Sequence, residues 1–171
     1  FKALTFLLFA QLAVGGICSI SLVPDPAGKS FFRFCGAACA ILLGIALAVK
    51  EELPVFVRTA FYIVFGLQCI YVALVQLGRR PVARNVLRLA GGSGVVGLAA
   101  FGFLDTPTGW PTWTLYASAA YQVITCLFLG SVIFAMTLGH WYLVVPALPI
   151  GPLSRLTNLM IVATGFKTLL L

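Results

Sequence analysis

Charge is what this sequence has least of. Of 171 residues only 9% are charged, and four are acids: Asp25, Glu51, Glu52 and Asp105. A water-soluble domain ordinarily carries about 25% charged residues, so this chain is too poor in them to cover a water-facing surface. No acid falls inside a long apolar run, which removes the intramembrane carboxylates that a proton relay needs. Histidine occurs once, at His140, so two-histidine haem ligation within the chain is excluded, and nucleophile, base and metal cluster are all missing. The five cysteines (Cys18, Cys35, Cys39, Cys69 and Cys126) are odd in number and embedded in apolar stretches, which argues against a disulfide framework. Cys35 and Cys39, four apart, share a helical face and would suit a soft ion such as Cu(I). Only Met136 and Met160 are present to assist, and no histidine pairs with the thiols, so the plainer reading is apolar filler and no metal site is assigned.

Apolar residues are what the chain has in abundance: 61% of the total, with a mean hydropathy of +1.09. Crossing the hydrocarbon of a bilayer takes roughly 20 apolar residues at about 1.5 Å each. Six stretches approach that length: 3–23, 31–49, 60–77, 86–104, 115–138 and 156–171. They are too long and too uniformly apolar for the alternating strands of a membrane barrel. The expected fold is therefore all-α, a polytopic bundle of about six transmembrane helices forming a single domain over 1–171. Residues are expected to be missing at one or both ends of it. The opening stretch has no clear small-residue cleavage site near Ile17 to Ser21 and reads as a span.

Prolines punctuate the connections: Pro24 and Pro26, Pro54, Pro81, Pro107 and Pro111, then Pro146, Pro149 and Pro152. The last three, spaced by three, predict a short extended segment lying along the interface. Basic residues collect near alternate helix ends. Lys29, Arg33, Arg79, Arg80, Arg84, Arg88 and Arg155 fall on one side, against Lys2, Lys50 and Arg58 on the other. The positive-inside rule then puts the first set in the cytoplasm and the N-terminus outside, in a bacterial inner membrane. Trp110, Trp113 and Tyr116 mark the outer interface, and Trp141 and Tyr142 the inner one. The net charge of +7 would suit nucleic acid, but the basic residues are scattered between apolar runs, so lipid is the expected counterpart and nucleic acid is not. A faint repeat, Pro24 to Arg33, Pro81 to Arg88 and Pro146 to Arg155, suggests tandem two-helix hairpins, although every such loop needs a proline and an arginine anyway.

A few positions stand out as candidate sites. Gly36, Ala40, Gly44 and Ala48 recur at spacing four in the second stretch, and Gly91, Gly92, Gly94 and Gly97 crowd the fourth. Small faces of this kind let helices approach closely, so Gly36, Ala40, Gly44, Gly94 and Gly97 are expected at packing contacts. His140, in Gly139-His140-Trp141-Tyr142, would ligate a haem iron or a chlorin magnesium, or hydrogen-bond a quinone; a plain interfacial histidine is the alternative. Trp141 and Tyr142 are grouped with it as cofactor-binding candidates. Lys167 lies about eleven residues, roughly 16 Å, into the sixth stretch. A cation so deep costs about 2.5–3.5 kcal/mol at the centre of a span, so it needs an outward snorkel, a partner's anion or a substrate. These features favour a non-catalytic subunit of a larger, energy-converting or electron-transfer membrane complex, packed against other subunits, lipids or a quinone, pigment or haem cofactor. The alternative is a small-solute transporter or channel built from repeated hairpins.

Overall fold

The computed structural model describes residues 2–23, 27–49, 53–107, 109–144 and 150–169. Among them are six helices and no strand: α1 (Lys2–Ser21), α2 (Gly28–Val49), α3 (Val55–Gln76), α4 (Arg80–Leu104), α5 (Thr112–Val144) and α6 (Gly151–Leu169). With no water in hydrocarbon to satisfy the backbone, a segment that bonds its own N–H and C=O groups internally is the stable choice. Most helices begin earlier than their apolar runs. Polar first turns such as Gly28-Lys29-Ser30 and Arg80-Pro81 belong to the helix, because a proline or a charged residue in the first turn removes no intrahelical bond.

α1 to α5 are long and apolar enough to cross a membrane, which marks the chain as an integral membrane protein. α6 is a helix over its described residues but is not among those five, because Ser154, Arg155, Thr157, Asn158 and Lys167 interrupt its apolar character. Pro152 corrects the expected extended proline segment, for it sits in the first turn of α6. Pro146 and Pro149 lie outside the described residues, as do Pro24, Asp25, Pro26, Lys50, Glu51 and Glu52.

The turn between α3 and α4 shows how local sequence sets a boundary. Gly78 adopts φ +76°, a left-handed conformation that favours glycine. Its N–H bonds to the Val75 carbonyl at 3.2 Å, and that of Arg79 to Leu74 at 3.0 Å, so two orphan carbonyls of α3 are satisfied. α4 then starts at once, at Arg80.

α1 through α4 close into a ring, each packing on the next and α4 returning to α1. α5 lies against α1 and α4, and α6 packs chiefly on α5. α1 is thus central, and the most buried of the five apolar helices. α1, α3 and α5 finish at the end where α2, α4 and α6 begin; we call this the basic end, since Lys29, Arg79, Arg80, Arg84 and Arg155 gather there. The core is mainly apolar. Phe6 meets Phe61 edge-on at 5.2 Å, and Ile17, Leu43, Val57 and Leu98 are fully buried elsewhere in the same core.

Candidate functional site

α1 and α5 approach one another closely at Gly15 and Gly130. A methyl group on Gly15 would overlap the Cys126 carbonyl, and one on Gly130 would overlap the Gly15 backbone. Only glycine permits such contact. The small residues singled out in the sequence occupy varied settings. A Cβ on Gly36 would lie 2.7 Å from the Tyr71 ring, and one on Gly94 2.8 Å from Val14. Gly97 and Gly44 have ordinary neighbours, at 3.4 Å from Ala60 and 3.6 Å from Phe65, and Ala40 is half-buried. Neither Gly15 nor Gly130 stands in a periodic stripe, which is why sequence pattern passes over them.

Buried polar groups tie the same helices. Gln11 Nε2 of α1 donates to Gln122 Oε1 of α5, and Gln68 Nε2 of α3 donates to the Gly36 carbonyl of α2 at 2.9 Å. Such bonds across helices contribute roughly 1 kcal/mol each in a membrane. Cys35 and Cys39 are buried free thiols, and no group of three His, Cys, Asp or Glu among the described residues is placed to hold a metal.

His140, Trp141 and Tyr142 are adjacent in sequence but divided in space. His140 is exposed on α5, whereas Trp141 and Tyr142 are half-buried and pack against the core. Trp141 Nε1 donates to the Ala27 carbonyl at 3.1 Å, and its ring meets Phe31 at 5.6 Å. The indole therefore straps the end of α5 to the start of α2 rather than lying in an outward-facing aromatic belt, because it finds an acceptor on the protein side. At the other end Trp110, Trp113 and Tyr116 are exposed, as an interfacial belt would be. None of the cavities described below is lined by His140.

Lys167 is half-buried near the end of α6, with Nζ 5.3 Å from the centre of the Tyr121 ring and 5.6 Å from that of Phe128. Those two rings, seven residues apart, stand on one face of α5. A cation over an aromatic face gains about 0.5–2 kcal/mol, and a cation in the last turn is further favoured by the helix dipole. The ammonium thus has ring faces for company at a depth where no carboxylate of the chain was expected.

Two cavities open at opposite ends of the α1–α4 ring. The larger, about 630 Å³, is lined by Ala3, Phe6, Leu53, Pro54, Phe101, Leu104 and Asp105. The smaller, at the basic end, has about 30 Å³ of free space between Ile20, Ser21, Val23, Lys29, Phe32, Tyr71, Val75, Arg80, Arg84 and Leu87. A surface groove of about 390 Å³ between α2 and α3 carries Ser30, Arg33, Phe34, Ala37, Val72 and Gln76. Comparison with protein families, with characterised proteins and with solved structures yields no match.

Proposed function

We propose that this chain is a non-catalytic subunit of a larger membrane assembly, and that α6 is the helix that meets its partner. One observation carries this reading: the least apolar helix of the bundle is also the one with a single substantial neighbour. Arg155, Asn158 and Ser154 are exposed on it, beside Ile161, Val162 and Phe166. Hydrocarbon offers no hydrogen-bond partner, so polar groups on a membrane helix are stabilised where another helix covers them. A helix with this surface is best accommodated between α5 and a second protein. The excess of Lys and Arg at the basic end supports a cytoplasmic position for that end. Within an electron-transfer assembly the exposed His140 is the residue available to a haem, a chlorin or a quinone at a subunit boundary.

Native electrophoresis of the chain extracted in mild detergent tests this. The expected result is migration with fixed partners, with cross-links forming from Asn158→Cys and not from Ile70→Cys on α3. Migration alone, at a mass set by 18.2 kDa plus detergent, would overturn it.

A second reading, a small-solute transporter built from helical hairpins, draws on the two cavities at opposite ends of the α1–α4 ring, separated by the apolar core. Solute uptake by vesicles containing the chain alone would favour it over the subunit reading.

A further inference from the structure

The smaller cavity at the basic end combines apolar walls with three cationic side chains. Its floor is apolar and aromatic, with Phe32 and Tyr71 among its walls, while Lys29, Arg80 and Arg84 stand around it. Arg84 is half-buried and has an interaction of its own. Lys29 Nζ donates one hydrogen bond to the Gln76 carbonyl at 2.8 Å, leaving its remaining N–H groups for another acceptor. α2 and α4 both begin here, so the positive ends of two long helices face the same region as the three cations. In the sequence this end carries Lys29, Arg33, Arg79, Arg80, Arg84 and Arg88 against a single acid, Asp25.

The free space is small, about 30 Å³, so the cleft suits a compact charged group seated at its mouth. Lys29, Arg80 and Arg84 line one cleft with apolar walls, and an anion with several acceptor oxygens seated there gains charge-assisted hydrogen bonds from them. We propose that this cleft is a phosphate-binding site, taken by the phosphate of an anionic phospholipid or by a soluble phosphate. The site is independent of the subunit reading, since its residues come from α1 to α4 and none from α6.

The intact chain, purified and placed in bilayers of phosphatidylcholine with or without phosphatidylglycerol, tests it by native mass spectrometry of retained lipid. A second arm titrates inorganic phosphate against chloride at matched ionic strength and follows thermal stability. Retention of phosphatidylglycerol over phosphatidylcholine identifies a lipid headgroup, and stabilisation by phosphate alone identifies a soluble ligand. The triple substitution of Lys29, Arg80 and Arg84 by Gln is expected to weaken binding at least about tenfold, the scale of one lost charge-assisted hydrogen bond. Arg80→Gln alone, at an exposed first-turn position, gives the same direction should the triple variant fold poorly. The paired substitution of Arg33 and Arg88, exposed cations that do not line the cleft, is expected to leave binding unchanged. The proposal is overturned if neither lipid nor phosphate binds selectively. It also fails if the Arg33 and Arg88 substitutions weaken binding as much as those in the cleft, for binding would then reflect general surface charge.

Discussion

α1 and α6 stand at opposite extremes of this bundle. α1 is central, packed on α2, α4 and α5, and its Ala10, Ala13, Val14 and Ile17 are fully buried. α6 leans chiefly on α5 and leaves Ile161, Val162, Phe166 and Leu169 exposed. In water the more apolar helix would go to the middle because water expels it. In a bilayer that force is absent between helices, since lipid tails are as apolar as leucine. What places α1 at the centre is the smallness of its residues: Gly15 admits the α5 backbone, and Gly16 sits under Phe134 and Cys39. α6 has Gly165, but no neighbour lies within 4 Å of where its Cβ would be.

Six substitutions test this contrast. The largest effect is expected for Gly15→Ala or Gly130→Ala. The added methyl has no flexible side chain to displace, only backbone, so a loss of about 3 kcal/mol or more is predicted in detergent unfolding. Gly165→Ala on α6 should be neutral or stabilising by up to about 1 kcal/mol. Equal effects at Gly15 and Gly165 would erase the distinction between the two helices. Next comes Gln11→Leu, which leaves Gln122 without its interhelical partner and should cost about 1 kcal/mol by the same assay. Trp141→Phe keeps most of the ring contact with Phe31 but deletes the bond to Ala27, for a loss of about 0.5–1.5 kcal/mol; no change would mean that the strap contributes nothing. The smallest effect on the isolated chain is expected for Lys167→Met. Losing two ring contacts is offset by removing a charge from the apolar layer, so the midpoint should shift by less than about 1 kcal/mol. A large destabilisation would show that the rings alone hold α6 in place.

Much of the architecture was legible beforehand because the bilayer constrains each segment separately. Apolar runs in the right length range, bounded by Pro54 or Pro81, announce helices without reference to their neighbours. Apolarity alone sets several helix starts too late, as at Lys29 and Arg80, because it stops at the interface while helical hydrogen bonding does not. By length the sixth run reads as a span, yet Asn158 and Lys167 leave it less apolar than the other five. The stripe Gly36-Ala40-Gly44 was visible as a small face, but periodicity cannot say where a neighbour crosses. Gly36 meets Tyr71 closely, whereas Gly44 has only an ordinary contact. The pairing of Lys167 with Tyr121 and Phe128 spans two helices and has no local signature at all. The grouping of His140 with Trp141 and Tyr142 relied on adjacency in sequence, which on a helix turns successive side chains about 100° apart.

Helical character, membrane residence and the gathering of arginines toward one end follow from composition and spacing, because hydrocarbon thickness and backbone hydrogen bonding act on every segment alike. The choice of α1 as the central helix, the backbone contact at Gly15 and Gly130, and the meeting of Lys29, Arg80 and Arg84 around one cleft arise only when the helices assemble. Lipid does not rank apolar faces against one another, so close contact between particular surfaces decides which helices become neighbours.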